Sequence, residues 1–250
     1  NQDWEPYDVG RGIYRSVATF AGAGQVYGHL GEHAGGHRLV PYERYQALAA
    51  DGEDYSETHE FYVGPGVFWS SSDQRIYVRL QASRYHALLN CGPTPDVDPR
   101  RTPMVLWPTR PLLDLRATTA WTEFRGLSLV HGEAIADAPS GCNHLTFRSC
   151  ELQGGRYSVI VRGGAHDLVF DGVTFDGRFP AYVARSDVKM PENAPPAHLM
   201  QDAAIDLEGA VAGIEIANCR FTRLFDAIDS TGAISDIDVH RCEFTEIRDD

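Results

Sequence analysis

Segments in the second half of this 250-residue chain repeat one template at a 23-residue period. They read WTEFRGLSLVHG, NHLTFRSCELQGG, HDLVFDGVTFDG, AGIEIANCRFTRL and SDIDVHRCEFTEI, with first inward positions at Thr122, Leu145, Leu168, Ile214 and Ile237. Successive copies are one period or two apart. Within a copy, apolar residues come in pairs spaced by two, such as Leu145 with Phe147 and Cys150 with Leu152. That spacing puts both members on one face of a strand, and a fixed period means stacked coils. A third apolar stretch follows: SVIV, AAIDL and DAID, centred on Val159, Ile205 and Ile228. Three short strands per coil, repeated in register, predict an all-β chain built as a parallel β-helix.

Composition narrows the partners. A formal charge of -13 argues against nucleic acid and anionic membranes. Lys189 is the only lysine, while arginine is abundant. Cys91, Cys142, Cys150, Cys219 and Cys242 show no CxxC pairing. Cys150, Cys219 and Cys242 share one inward position with Leu127 and Val173, which reads as a buried row of small apolar residues and not a metal site. No stretch is long enough to span a bilayer. The chain opens without a signal-like segment, and TEIRDD stops halfway through a coil. The expectation is a piece of a longer protein, incomplete at its C-terminal end.

Residues 1–103 lack the echo and read as a small β-rich module, packed on or inserted into the coil that occupies 104–250. Its strand candidates are GIYRSV, HEFYVGPGVFW and RIYVRL; YERYQALAADGED suggests one short helix, and CGPTPDVDPRRTP a linker. One coil is interrupted. An excursion over 178–201 leaves after the second strand of its coil and returns before the third, where it can shape a site on the third strand's outer face.

Asp206 and Asp229 follow the equivalent isoleucines Ile205 and Ile228, so both point outward from adjacent coils, about 4.8 Å apart by strand spacing. Carboxylates this close repel, which divides them into a potential acid and a potential base. The spacing suits the retaining glycosidase geometry best. The same residues also suit solvated surface positions, turn caps or part of a calcium site. Glu208 points to the same region. Asp226 and Asp249 form a second aligned pair at the turn, where local backbone bonding is the simpler reading. The excursion offers Tyr182, Arg185, Lys189, Glu192 and His198 as substrate contacts. HLGEHAGGH, with His29, Glu32, His33 and His37, contains an H-x-x-E-H string, but its glycines disfavour the helix a zinc site needs. Trp69, Trp107, Trp121 and Tyr157 are candidate sugar platforms, of which one or two are expected to be exposed.

The coil segments NHLTFRSCELQGG, AGIEIANCRFTRL and SDIDVHRCEFTEI resemble the repeats of right-handed parallel β-helix proteins of the pectate-lyase-like superfamily. GIYRS followed by FYVGPGVFWSSSDQRIYVRL resembles the β-rich segment interrupting the coil in bacterial β-helix glycosidases of the β-xylosidase and fucosidase types. The resemblance implies the coil's right-handedness, a secreted or periplasmic location, and an acidic pair on neighbouring coils, matched here by Asp206 and Asp229.

The expected function is a glycoside hydrolase acting on a polysaccharide or oligosaccharide. Asp206 and Asp229 are its catalytic residues; Arg185, Lys189, His198, Glu208 and Asp226 are its substrate contacts. No cofactor is required, although calcium fits the acidic face. Two alternatives stand beside it: a calcium-assisted polysaccharide lyase using Arg185 or Lys189, and a non-catalytic glycan-binding β-helix.

Overall fold

A computed structural model describes residues 3–22, 26–28, 36–50, 61–83, 97–107, 109–189 and 198–249. The chain divides into two compact units. One comprises Asn1–Pro108 with Phe179–Gln201, the other Thr109–Arg178 with Asp202–Asp250.

The second unit is a parallel β-helix with three five-stranded sheets. The first sheet stacks Ala120–Arg125, Asn143–Arg148, His166–Asp171, Val211–Ala217 and Ile234–His240. The second stacks Ser128–Val130, Glu151–Gln153, Thr174–Asp176, Arg220–Leu224 and Glu243–Ile247. The third stacks Leu113–Asp114, Ala134–Ala138, Tyr157–Arg162, Ala203–Glu208 and Asp226–Thr231. Thr122, Leu145, Leu168, Ile214 and Ile237 are direct partners in consecutive coils, so the sequence period is the structural register. The interrupted coil leaves after Asp176 and re-enters at Ala203 without a shift of register, because Phe175 still pairs with Phe221 and Val159 with Ile205.

Inward rows fill the coil. Phe175 stacks on Phe221 with centroids 4.7 Å apart, and Phe221 on Phe244 at 4.9 Å. Phe124, Phe147 and Phe170 form a second column at 4.8 and 5.4 Å. Cys150 and Cys219 are buried, and each thiol donates to a carbonyl of the preceding coil, Phe124 at 3.3 Å and Phe170 at 3.4 Å. Burial pushes the Cys219 thiol up to about 12. Leu127 departs from the expected buried row: it is exposed, since its first coil is covered within the row on one side only. Cys91 lies outside the described residues.

The corner between the first two sheets explains how so tight a coil closes. Gly126, Ser149, Gly172, Asn218 and Arg241 occupy it in successive coils, all with φ between 50 and 66°. A left-handed residue turns the chain sharply, which glycine does without a Cβ penalty and asparagine does comparatively readily. The amides there also stitch neighbouring coils, as in Ser149 N to Asp171 O at 2.9 Å and Gly172 N to Ala217 O at 2.9 Å.

The first unit holds a five-stranded sheet ordered Trp4–Asp8, Ile13–Ser16, Arg75–Arg79, Gly66–Ser70 and Val40–Pro41. A three-stranded sheet joins His37–Arg38, Val26–Gly28 and Met104–Leu106. Met104–Leu106, expected to open the coil, pairs antiparallel with Val26–Gly28 instead. The short helix falls at Tyr45–Ala49. Buried Arg79 lies over the Tyr62 ring at 4.0 Å and donates to the carbonyls of Leu48 and Ala50 at 3.1 and 2.8 Å.

The excursion belongs to this unit. Tyr182 Oη donates to Pro65 O at 3.0 Å, and its ring fills the space beside Gly64, where a Cβ would sit 2.6 Å away. Buried Arg38 donates from Nη2 to Met200 O at 3.3 Å.

Candidate functional site

The outer face of the third sheet carries the predicted pair. Within its strand, Ile205 and Leu207 point into the coil and are buried, so Asp206 between them points out. Asp206 is the direct register partner of Asp229, and on its other side of Ile160. The row continues through Asp137 to Asp114. Two residues further along, Arg162, Glu208 and Thr231 form the next outward row. Two acidic steps therefore flank a single apolar residue, with an arginine beside them.

Asp206 is not a solvated surface group. It is only 5 % exposed, while Asp229 is half-buried. Burial pushes the Asp206 carboxyl up to about 6; the negative charges of Glu208 and Asp229 add to the push, while Arg162 and Arg156 oppose it. Asp229 Oδ1 accepts from the Ser230 amide at 2.8 Å, which fixes one oxygen of the more accessible member. Arg162 Nη1 meets Glu208 Oε2 at 2.5 Å. Half-buried Tyr157 has its phenol raised, first by burial and then by Asp206, Asp202 and Asp229, with Arg156 opposing. This phenol therefore belongs to the same electrostatic cluster as the acidic pair.

The turn acids lie where main-chain bonds join neighbouring coils. Asp226 is buried, and its amide donates to Asp202 O at 3.0 Å; Asp202 Oδ1 accepts from the Phe225 amide at 3.2 Å. Asp249 meets the same turn through its amide, which donates to Phe225 O at 2.9 Å. Asp202 was missed from sequence because it lies at the end of the excursion, where no repeat flags it. Asp137 and Arg162 were missed although the period points to them: residues 137, 160, 206 and 229 fall on one row, and 162, 208 and 231 on the next outward one.

The remaining predicted contacts fall in the other unit. Arg185 is exposed at the start of a short helix, Arg185–Val188, and Lys189 closes it by donating its amide to Arg185 O at 2.8 Å. His198 begins a single turn, His198–Met200. Tyr182 is committed to packing by its Pro65 bond and is buried, which removes it from the candidate contacts. Glu192 lies outside the described residues, as do His29, Glu32 and His33 of the H-x-x-E-H string. His37 sits on a two-residue strand.

Of the aromatic candidates, Trp121 is 80 % exposed, whereas Trp69 donates its indole N–H to Phe20 O at 3.1 Å. Among the described residues, no three His, Cys, Asp or Glu side chains are grouped to hold a metal ion, and no helix is long and apolar enough to cross a membrane. Compared with protein-family models, curated proteins and solved structures, the chain matches none.

Proposed function

We propose that this chain carries the active site of a glycoside hydrolase, working on a polysaccharide or oligosaccharide outside the cytoplasm. The observation that carries the reading is the Asp206–Asp229 step: a carboxyl pushed up to about 6 beside a more accessible carboxylate on the next coil. A general acid must hold its proton near the working pH, and Asp206 is suited to that by burial. It would deliver the proton to the departing glycosidic oxygen. Asp229, better reached from outside, would attack the anomeric carbon, and water would release the sugar as Asp206 takes a proton back. Strand spacing of about 4.8 Å lies close to the separation of about 5–5.5 Å used by retaining enzymes. Arg162 tethers Glu208 and limits how far Asp206 is raised.

The test uses the protein on neutral and uronate-containing glycans, recording reducing ends and ultraviolet absorbance together. New reducing ends without absorbance, lost in Asp206→Asn and in Asp229→Asn, support the hydrolase. Absorbance that rises and survives both substitutions would replace it with a lyase. Binding without turnover, unaffected by either substitution, would leave a glycan-binding coil.

A further inference from the structure

The outer face of the first sheet holds a groove of about 650 Å³ that the proposed active site does not use. Trp121 stands at one end, its indole stacked on the His144 ring with centroids 3.7 Å apart and planes inclined by 22°. The outer face of that indole is open. Asp167 lies beside them, its Oδ2 3.7 Å from His144 Nδ1 and 2.8 Å from His166 Nδ1. The other end is acidic. Glu215 and Asp238 are direct partners on adjacent strands, and Asp236 lines the same end. Like charges in register repel. Among the described residues, His240 approaches them, at 3.6 Å from Glu215 and 3.9 Å from Asp238. The residues lining the groove include no lysine or arginine. Arg125 is engaged with Glu123 at 2.6 Å and Arg148 with Asp171 at 3.1 Å, while Arg241 Nε donates to His240 Nδ1 at 3.2 Å.

These features select an occupant. A flat, open indole suits the apolar face of a pyranose ring and also attracts a nearby cation. The carboxylates disfavour uronates, and positive charge would relieve the repulsion between Glu215 and Asp238. From Trp121 to Asp236 the groove crosses four strand steps, roughly 19 Å at standard spacing, so the occupant is elongated. We propose that this groove binds an amine-bearing oligosaccharide, with one ring on Trp121 and ammonium groups held by Glu215, Asp236 and Asp238.

The test is calorimetric titration of the chain with a hexamer of β-1,4-linked glucosamine. Saturable binding is expected, weakening as salt rises. Trp121→Ala should weaken it by about tenfold. Glu215→Gln with Asp238→Asn should weaken it and flatten its salt dependence. The N-acetylated hexamer should bind about tenfold more weakly for want of charge. Asp206→Asn should leave the affinity unchanged, which separates this groove from the proposed active site. No binding by the wild type, or equal binding by Trp121→Ala, overturns the proposal. Equal affinity for the acetylated hexamer overturns the cationic assignment. Loss in Asp206→Asn with retention in Trp121→Ala would assign the ligand to the third sheet instead.

Discussion

Arg162 and Asp137, on neighbouring coils of the third sheet, are joined by two parallel hydrogen bonds, Nε to Oδ1 at 2.9 Å and Nη2 to Oδ2 at 3.0 Å. The fork geometry fixes the guanidinium plane, leaving its remaining nitrogen directed at Glu208 on the following coil. One side chain thus ties three coils together beside the acidic pair.

Arg162→Gln should release both carboxylates. Because the arginine is 41 % exposed, solvent screening limits the loss to about 1 kcal/mol. The more telling readout is Asp206, whose carboxyl should titrate higher once the opposing charge is gone. Carboxyl-carbon NMR titration checks this; an unchanged Asp206 would remove Arg162 from the site's electrostatics.

Asp206 also sets a pH dependence of stability. Its proton is held up to about 6 in the folded chain, against an ordinary value of 3.8. The stabilising contribution is therefore complete below 3.8 and lost as pH rises through about 6. Its size is on the order of 3 kcal/mol. Asp206→Asn should be more stable than wild type at pH ~7.5 and indistinguishable at pH ~3. Urea unfolding at both pH values measures the difference, and equal stability at the higher pH would contradict the burial argument.

The hydrophobic columns should respond most steeply. Phe221 lies between Phe175 and Phe244 and is fully buried. Phe221→Ala should cost about 3–5 kcal/mol, because parallel strands above and below restrain collapse into the cavity. The coil's urea midpoint reports it, and a loss below about 1 kcal/mol would show that the column repacks freely.

Ser149 tests the corner row. It is exposed, holds φ near 50°, and occupies the position that Gly126 and Gly172 fill in neighbouring coils. Ser149→Gly relieves the left-handed cost of about 1–2 kcal/mol but adds unfolded-state freedom worth about 0.4–1 kcal/mol. A net gain of roughly 0.5 kcal/mol should appear as a higher melting temperature.

The periodic half of the molecule was readable because each inward position repeats its chemistry: Leu145 over Leu168 over Ile214 needs no tertiary information. The same arithmetic places Asp206 against Asp229. Burial of Asp206 was not readable, since an outward residue's exposure depends on packing beyond its own strand. Trp121 and Trp69 show the same limit, one open and one hydrogen-bonded, with nothing in their local sequence to separate them. Tyr182 was misassigned because an aromatic in a proline-rich loop reads as a contact residue, whereas here it fills the space left by Gly64. Met104–Leu106 was misplaced because a three-residue strand carries no period.

The interruption between Asp176 and Ala203 has a consequence for how such a wall can change over time. Neighbouring coils pair identically on both sides of it, so the wall registers strand order and is indifferent to how much chain lies between. Doubling the length of a connecting loop costs only about 0.6 kcal/mol of closure entropy, less than one buried methylene contributes. A segment of different length or origin can therefore be spliced in at this turn while Asp206 and Asp229 keep their places. The coil supplies fixed coordinates, and the splice point is where variety enters cheaply.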